Sequence, residues 1–109
     1  MNRWELWKFP FPSEHEPHWF VILSPQAFEM GKGDFRVNGL YCATFRPGHV
    51  VKPYEVRLNG ADGLHHDTIV KCHFVFSLPT SAGREKRGPV SRARRRQIQE
   101  KLTDYIFGD

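Results

Sequence analysis

Asp67-Thr68-Ile69-Val70-Lys71-Cys72-His73-Phe74-Val75-Phe76-Ser77-Leu78-Pro79-Thr80-Ser81 decides how the rest of this chain is read. Ile69, Val70, Phe74, Val75 and Phe76 are β-branched or aromatic, the side chains that fill a half-buried pleated surface, and Pro79 stops the run because it has no amide proton for a ladder. The stretch is a strand, either one bent strand or two short ones. Into its middle the sequence sets an ammonium, a thiol and an imidazole at consecutive positions: Lys71, Cys72 and His73.

Downstream, residues 80–89 form a polar loop with Gly83 and Gly88. Ser91 is a suitable N-cap, and Ile98, Leu102, Tyr105 and Ile106 recur at three- and four-residue spacing, which predicts one long helix over residues 92–107. Upstream, residues 54–58 form a short strand followed by an Asn-Gly and Asp-Gly turn at 59–63. Residues 35–45 form a long strand with Gly39 as a bend or bulge. Residues 18–24 form a central strand, since Trp19 to Leu23 is continuously apolar and Pro25 closes it. Residues 3–9 make a first strand, residues 10–17 an exposed loop because three prolines cannot donate to a ladder, and residues 26–33 an irregular segment. Five or six short strands and one terminal helix make a mainly β domain, a small twisted and partly closed barrel capped by the helix.

At 109 residues the chain is one domain, and 39% apolar with 14% aromatic residues is a globular composition. No apolar run approaches the ~20 residues of a membrane helix, so a cytoplasmic protein with reduced, buried Cys42 and Cys72 is expected. The net charge of +4 is uneven. Residues 84–96 hold seven Lys or Arg against Glu85 alone, a local balance of +6 that leaves −2 for the remainder. Such a patch suits a polyanion, because each neutralised phosphate releases counterions, and it equally suits a solvated helix start. Zinc is disfavoured: His65-His66 and Cys72-His73 are adjacent pairs whose side chains diverge on an extended chain.

Taken in order, the segments resemble the PemK, Kid and MazF toxins of toxin–antitoxin modules. The resemblance runs through residues 4–11 and the loop with His15-Glu16, through Val21-Ile22-Leu23-Ser24-Pro25 with Ala27-Phe28, and through Tyr41-Cys42-Ala43-Thr44. It continues through Tyr54-Glu55-Val56-Arg57-Leu58, residues 67–79 and the helix at 91–106. It implies an SH3-like barrel of the type shared with the gyrase poison CcdB, of five to seven strands. It also implies a homodimeric endoribonuclease that cuts single-stranded RNA without a metal or cofactor, and a cognate antitoxin that covers the RNA groove.

The residues that match the family's active positions are His18, where the family has an arginine, Thr44, Lys71, and His73, where the family has an acid. Cleavage through the 2′-OH needs a base, an acid for the leaving 5′-oxygen and cations for the phosphorane. His18 and His73 would supply the proton transfers, Lys71 or Arg46 the charge and Thr44 a hydrogen bond. RNA contacts are expected from His15, Glu16, Arg46, Arg84, Lys86 and Arg87. On its residue type alone His73 also reads as a structural histidine, and Lys71 as a chain that carries its charge to solvent. A nuclease-inactive member that binds nucleic acid or a protein such as gyrase is the second reading.

Overall fold

The structure, a computed structural model, describes residues 1–108. Among the described residues there are seven strands: β1 (Leu6–Ser13), β2 (Glu16–Ile22), β3 (Phe28–Glu29), β4 (Phe35–Thr44), β5 (Glu55–Leu58), β6 (Thr68–Pro79) and β7 (Glu85–Arg87). Helix α1 (Arg92–Leu102) follows and runs into a wider turn at Thr103–Phe107. The strands form one antiparallel sheet in the order β5-β6-β4-β2-β1-β7, with β3 pairing β4 off this path. β5 and β7 do not pair with each other, so the sheet curls without closing.

The opening stretch is a single strand, β6, paired with β4 from Arg36↔Pro79 to Thr44↔Thr68. Its ladder slips in the middle. Leu40 opposes Val75 while Cys42 opposes Val70, so β6 spends three more residues than β4 in crossing this point. Lys71, Cys72, His73 and Phe74 occupy the bulge, opposite Tyr41, and the Cys72 amide turns instead to the Tyr54 carbonyl at 3.0 Å. A bulge re-aims side chains that strict alternation would send to fixed faces.

Apolar residues fill both faces of the curled sheet. One cluster joins Leu6, Val21, Leu40, Cys42, Val56, Leu58, Val70 and Cys72 to Val90 and to Ile98 of α1, and the other joins Phe9, Phe20, Ile22, Val37 and Leu78. β2 sends Val21 to the first and Phe20 and Ile22 to the second, which is why its sequence is apolar without a break. Gly39 sits between these layers, where an added Cβ would lie 2.8 Å from Leu78 Cδ1 and 3.3 Å from the Val21 carbonyl.

Four sequence expectations change. Trp4 has φ 74°, a left-handed turn, so the first strand begins at Leu6 and not at residue 3. The proline-rich segment is a hairpin, not a loop, with Pro12 opposite Pro17. β7 covers only Leu6 to Lys8 of β1, which leaves the rest of that edge with no ladder for prolines to interrupt. The segment at 80–89 contains β7, a strand too short and polar to show in the sequence. Ser91 precedes the helix, but its hydroxyl caps nothing; its amide donates to Asp62 Oδ1 at 2.8 Å, tying the helix start to the turn after β5.

Candidate functional site

The β2–β4 ladder pairs Ile22↔Gly39, Val21↔Leu40 and Phe20↔Tyr41 and stops there. Beyond Phe20 the two strands part. A cavity of about 390 Å³ lies at that end, lined by Pro17, His18 and Trp19 of β2 and by Cys42, Ala43 and Thr44 of β4, with Lys8, Glu16, Arg46 and His66 around it. Thr44 ends β4 and is exposed, and Arg46 follows two residues later. The fold thus brings Glu16 and His18 of β2 together with Thr44 and Arg46 at the end of β4.

The His18 ring is fixed in orientation and tautomer. Its Nδ1 lies 2.8 Å from the Glu16 carbonyl and 3.2 Å from the Phe11 carbonyl. Carbonyls only accept, so Nδ1 donates and the neutral ring keeps its lone pair on Nε2. The ring also packs on Tyr41, with centroids 4.8 Å apart.

Lys71 and His73 are not among the residues lining this cavity. The Lys71 ammonium donates to Glu55 Oε2 at 2.7 Å, while His49 Nε2 and the Lys52 amide contact Oε1 at 2.9 and 2.8 Å. The Glu55 side chain is fully buried. Burial alone would raise its carboxyl, but these hydrogen bonds, Lys71 foremost, outweigh burial and hold it at about 2. His73 packs against Tyr54 and Phe74, centroids 4.1 and 4.2 Å away, and its Nδ1 is buried without a partner. Burial and the nearby Lys71 charge push its pKa down, favouring the neutral ring.

The bulge and the cavity are nevertheless joined. Centroid distances of 4.8, 6.4 and 4.2 Å link His18 to Tyr41, Tyr41 to Phe74 and Phe74 to His73. Burial raises the Tyr41 hydroxyl, and the charge of Lys71 acts on it in the opposite sense.

The basic residues disperse. Arg87 pairs with Glu85 at 2.8 Å and lies 5.9 Å from the Trp19 ring, beside a second cavity of about 220 Å³ that shares Lys8, Trp19, Thr44, His66 and Thr68 with the first. Arg84 approaches Glu14 at 3.9 Å, Lys86 approaches Glu5 at 3.6 Å, and neither lines these two cavities. Arg95 is structural in part: its Nε donates to the Val90 carbonyl at 2.6 Å. His15 is exposed in the β1–β2 turn.

Sequence reasoning passed over Lys8, Trp19 and His66. On sequence His66 reads only as a disfavoured zinc ligand; its place one residue before Asp67, at the mouth of the decisive strand, is the available signal. Burial pushes both thiols up, Cys72 to about 12, so neither is poised as a nucleophile. Among the described residues no group of three or more His, Cys, Asp or Glu is arranged to hold a metal ion, and no helix is long and apolar enough to cross a membrane.

A family model described as "PemK-like, MazF-like toxin of type II toxin-antitoxin system" matches residues 2–106. No curated protein sequence matches the chain. Among solved structures, an endoribonuclease in complex with its cognate antitoxin from a mycobacterial species superposes with a TM-score of 0.76 at 16% identity, covering 98% of this chain and 95% of that one. The Mycobacterium tuberculosis toxin MazF-mt6 gives 0.70 at 15% identity, covering 95% and 97%. A chain of the MazE-MazF structure from Deinococcus radiodurans gives 0.71 at 19% identity, covering 97% and 94%. At these identities the structural likeness is one of fold.

Proposed function

Because this chain belongs to the PemK-like, MazF-like toxins of type II toxin–antitoxin systems, we propose that it is a cytoplasmic endoribonuclease that cuts single-stranded RNA through the 2′-OH, without a metal. The observation that carries the reading is the cavity where β2 and β4 part, which presents an oriented imidazole, a hydroxyl and cations side by side. His18 Nε2 takes the 2′-OH proton, the 2′-oxygen attacks phosphorus, and the P–O5′ bond breaks as the 5′-oxygen gains a proton, leaving a 2′,3′-cyclic phosphate. Arg46 and Lys8 offset the phosphorane charge and Thr44 donates a hydrogen bond to it. Lys71 and His73 do not line the cavity: His73 supports the His18 ring through Phe74 and Tyr41, and Lys71 acts through its charge on Tyr41.

A second copy and a cognate antitoxin complete the reading. Phe74, Val75, Ile106 and Phe107 are exposed apolar residues available to such partners. The purified protein is expected to sediment as a two-chain species, and a monomer at micromolar concentration contradicts this part.

In EDTA the antitoxin-free protein should cleave single-stranded RNA to cyclic or 3′-phosphate ends, and His18→Ala should lower the rate roughly 10²-fold or more. The placement of Lys71 and His73 away from the cavity favours the second reading, a binding-only member. Salt-sensitive RNA binding with intact RNA, or gyrase inhibition, would establish that reading and remove the first.

A further inference from the structure

In-line cleavage at phosphorus places the proton acceptor and the proton donor on opposite sides of the phosphate. His18 supplies one side. The expected donor, His73, lies against Tyr54 and Phe74 outside the cavity, yet the cavity holds a second imidazole, His66.

His66 is exposed, but the chain that carries it is anchored on both sides. Before it, Leu64 is buried in the core, and Gly63 adopts φ 81° so close to Gly88 that a Cβ would lie 2.8 Å from the Gly88 amide. After it, the Asp67 carbonyl accepts the Phe45 amide at 3.1 Å, the Asp67 carboxylate pairs with Arg57, and Thr68 Oγ1 donates to the carbonyl of His66 itself at 3.2 Å. Two residues, His65 and His66, are left at the mouth, and His66 alone of the two lines both cavities. It approaches from the β6 side, whereas His18 approaches from β2.

We infer that His66 is the general acid of the cleavage reaction, giving its ring proton to the 5′-oxygen as the P–O5′ bond breaks. The inference rests on the ribonuclease reading above. The step balances within the cavity: His18 gains the proton from the 2′-OH, His66 loses one to the leaving alcohol, and water later returns both rings to their starting states. The charged groups lining the two cavities around it are Lys8, Glu16, His18, Arg46, Glu85 and Arg87. Three cations and two carboxylates thus stand around the two rings.

The test uses the wild-type protein and H66Q on a mixed-sequence single-stranded RNA, then on the same RNA with a sulfur in place of the bridging 5′-oxygen at the mapped cut. A thiolate leaves without protonation, so a missing acid is not felt there. H66Q should cleave the ordinary RNA about a hundredfold or more slowly and the sulfur-bridged RNA within severalfold of wild type, while His18→Ala stays slow on both. Equal loss by H66Q on both substrates, or cleavage of ordinary RNA at the wild-type rate, overturns the assignment and leaves the ribonuclease reading standing. Failure of the wild-type protein to cut either RNA overturns both.

Discussion

At the scale of single residues, Glu55 is the group on which the site's geometry leans hardest. It is a buried carboxylate that gathers the Lys71 ammonium, the His49 ring and the Lys52 amide, and so fastens both the bulge of β6 and the loop behind Arg46. Glu55→Gln should cost roughly 2–3 kcal/mol in urea unfolding at neutral pH, as lost hydrogen bonds to a charged group do. The folded carboxyl sits at about 2, below the ~4.3 of an unfolded glutamate, so its contribution is complete above the unfolded value and fades as pH falls through the folded one. Wild-type stability should therefore drop between about pH 4.5 and 2 more steeply than that of Glu55→Gln; parallel acid profiles would contradict this. His18, Thr44, Glu16 and Arg46 were expected at the site through the family resemblance, and the parting of β2 from β4 places all four on one cavity. The separation of His73 from them was not expected, since inward and outward alternation has no meaning inside a bulge.

At the scale of elements, the site exists because two ladders are imperfect. The β2–β4 pairing ends at Phe20↔Tyr41, which opens the cavity, and the β4–β6 pairing slips opposite Tyr41, which turns Lys71 and His73 away from it. Both irregularities adjoin Gly39, where the sheet packs too closely for a side chain. Gly39→Val should destabilise the fold by about 1–3 kcal/mol through the clash with Leu78, read from the urea midpoint. It should also lower RNA cleavage at temperatures where the protein remains folded, since Tyr41 and His18 sit just beyond. Unchanged stability would show that the layers have more room than the 2.8 Å contact allows. The long strands and the helix were readable from β-branched runs and helical spacing. β7 and the proline hairpin were not, because β7 is a polar triplet and because proline is tolerated on an edge that only the finished sheet reveals.

At the scale of the whole molecule, charge and shape cooperate less simply than composition suggested. The local balance of +6 over residues 84–96 is spread over salt bridges, a helix start and one flank of the second cavity, and Arg87 is the cation of that stretch found beside Trp19 and that cavity. The cations that line the cavity with the oriented imidazole are Lys8 and Arg46, each outside the basic run. A net charge suits a polyanion and a solvated helix start alike, and the curl of the open sheet decides which cations line the cavity. Metal-free cleavage in that cavity requires the 2′-OH as the nucleophile. A single 2′-deoxy substitution at the nucleotide 5′ to the mapped cut should abolish cleavage there in EDTA while neighbouring ribonucleotide sites are still cut; continued cleavage at the substituted position would contradict it.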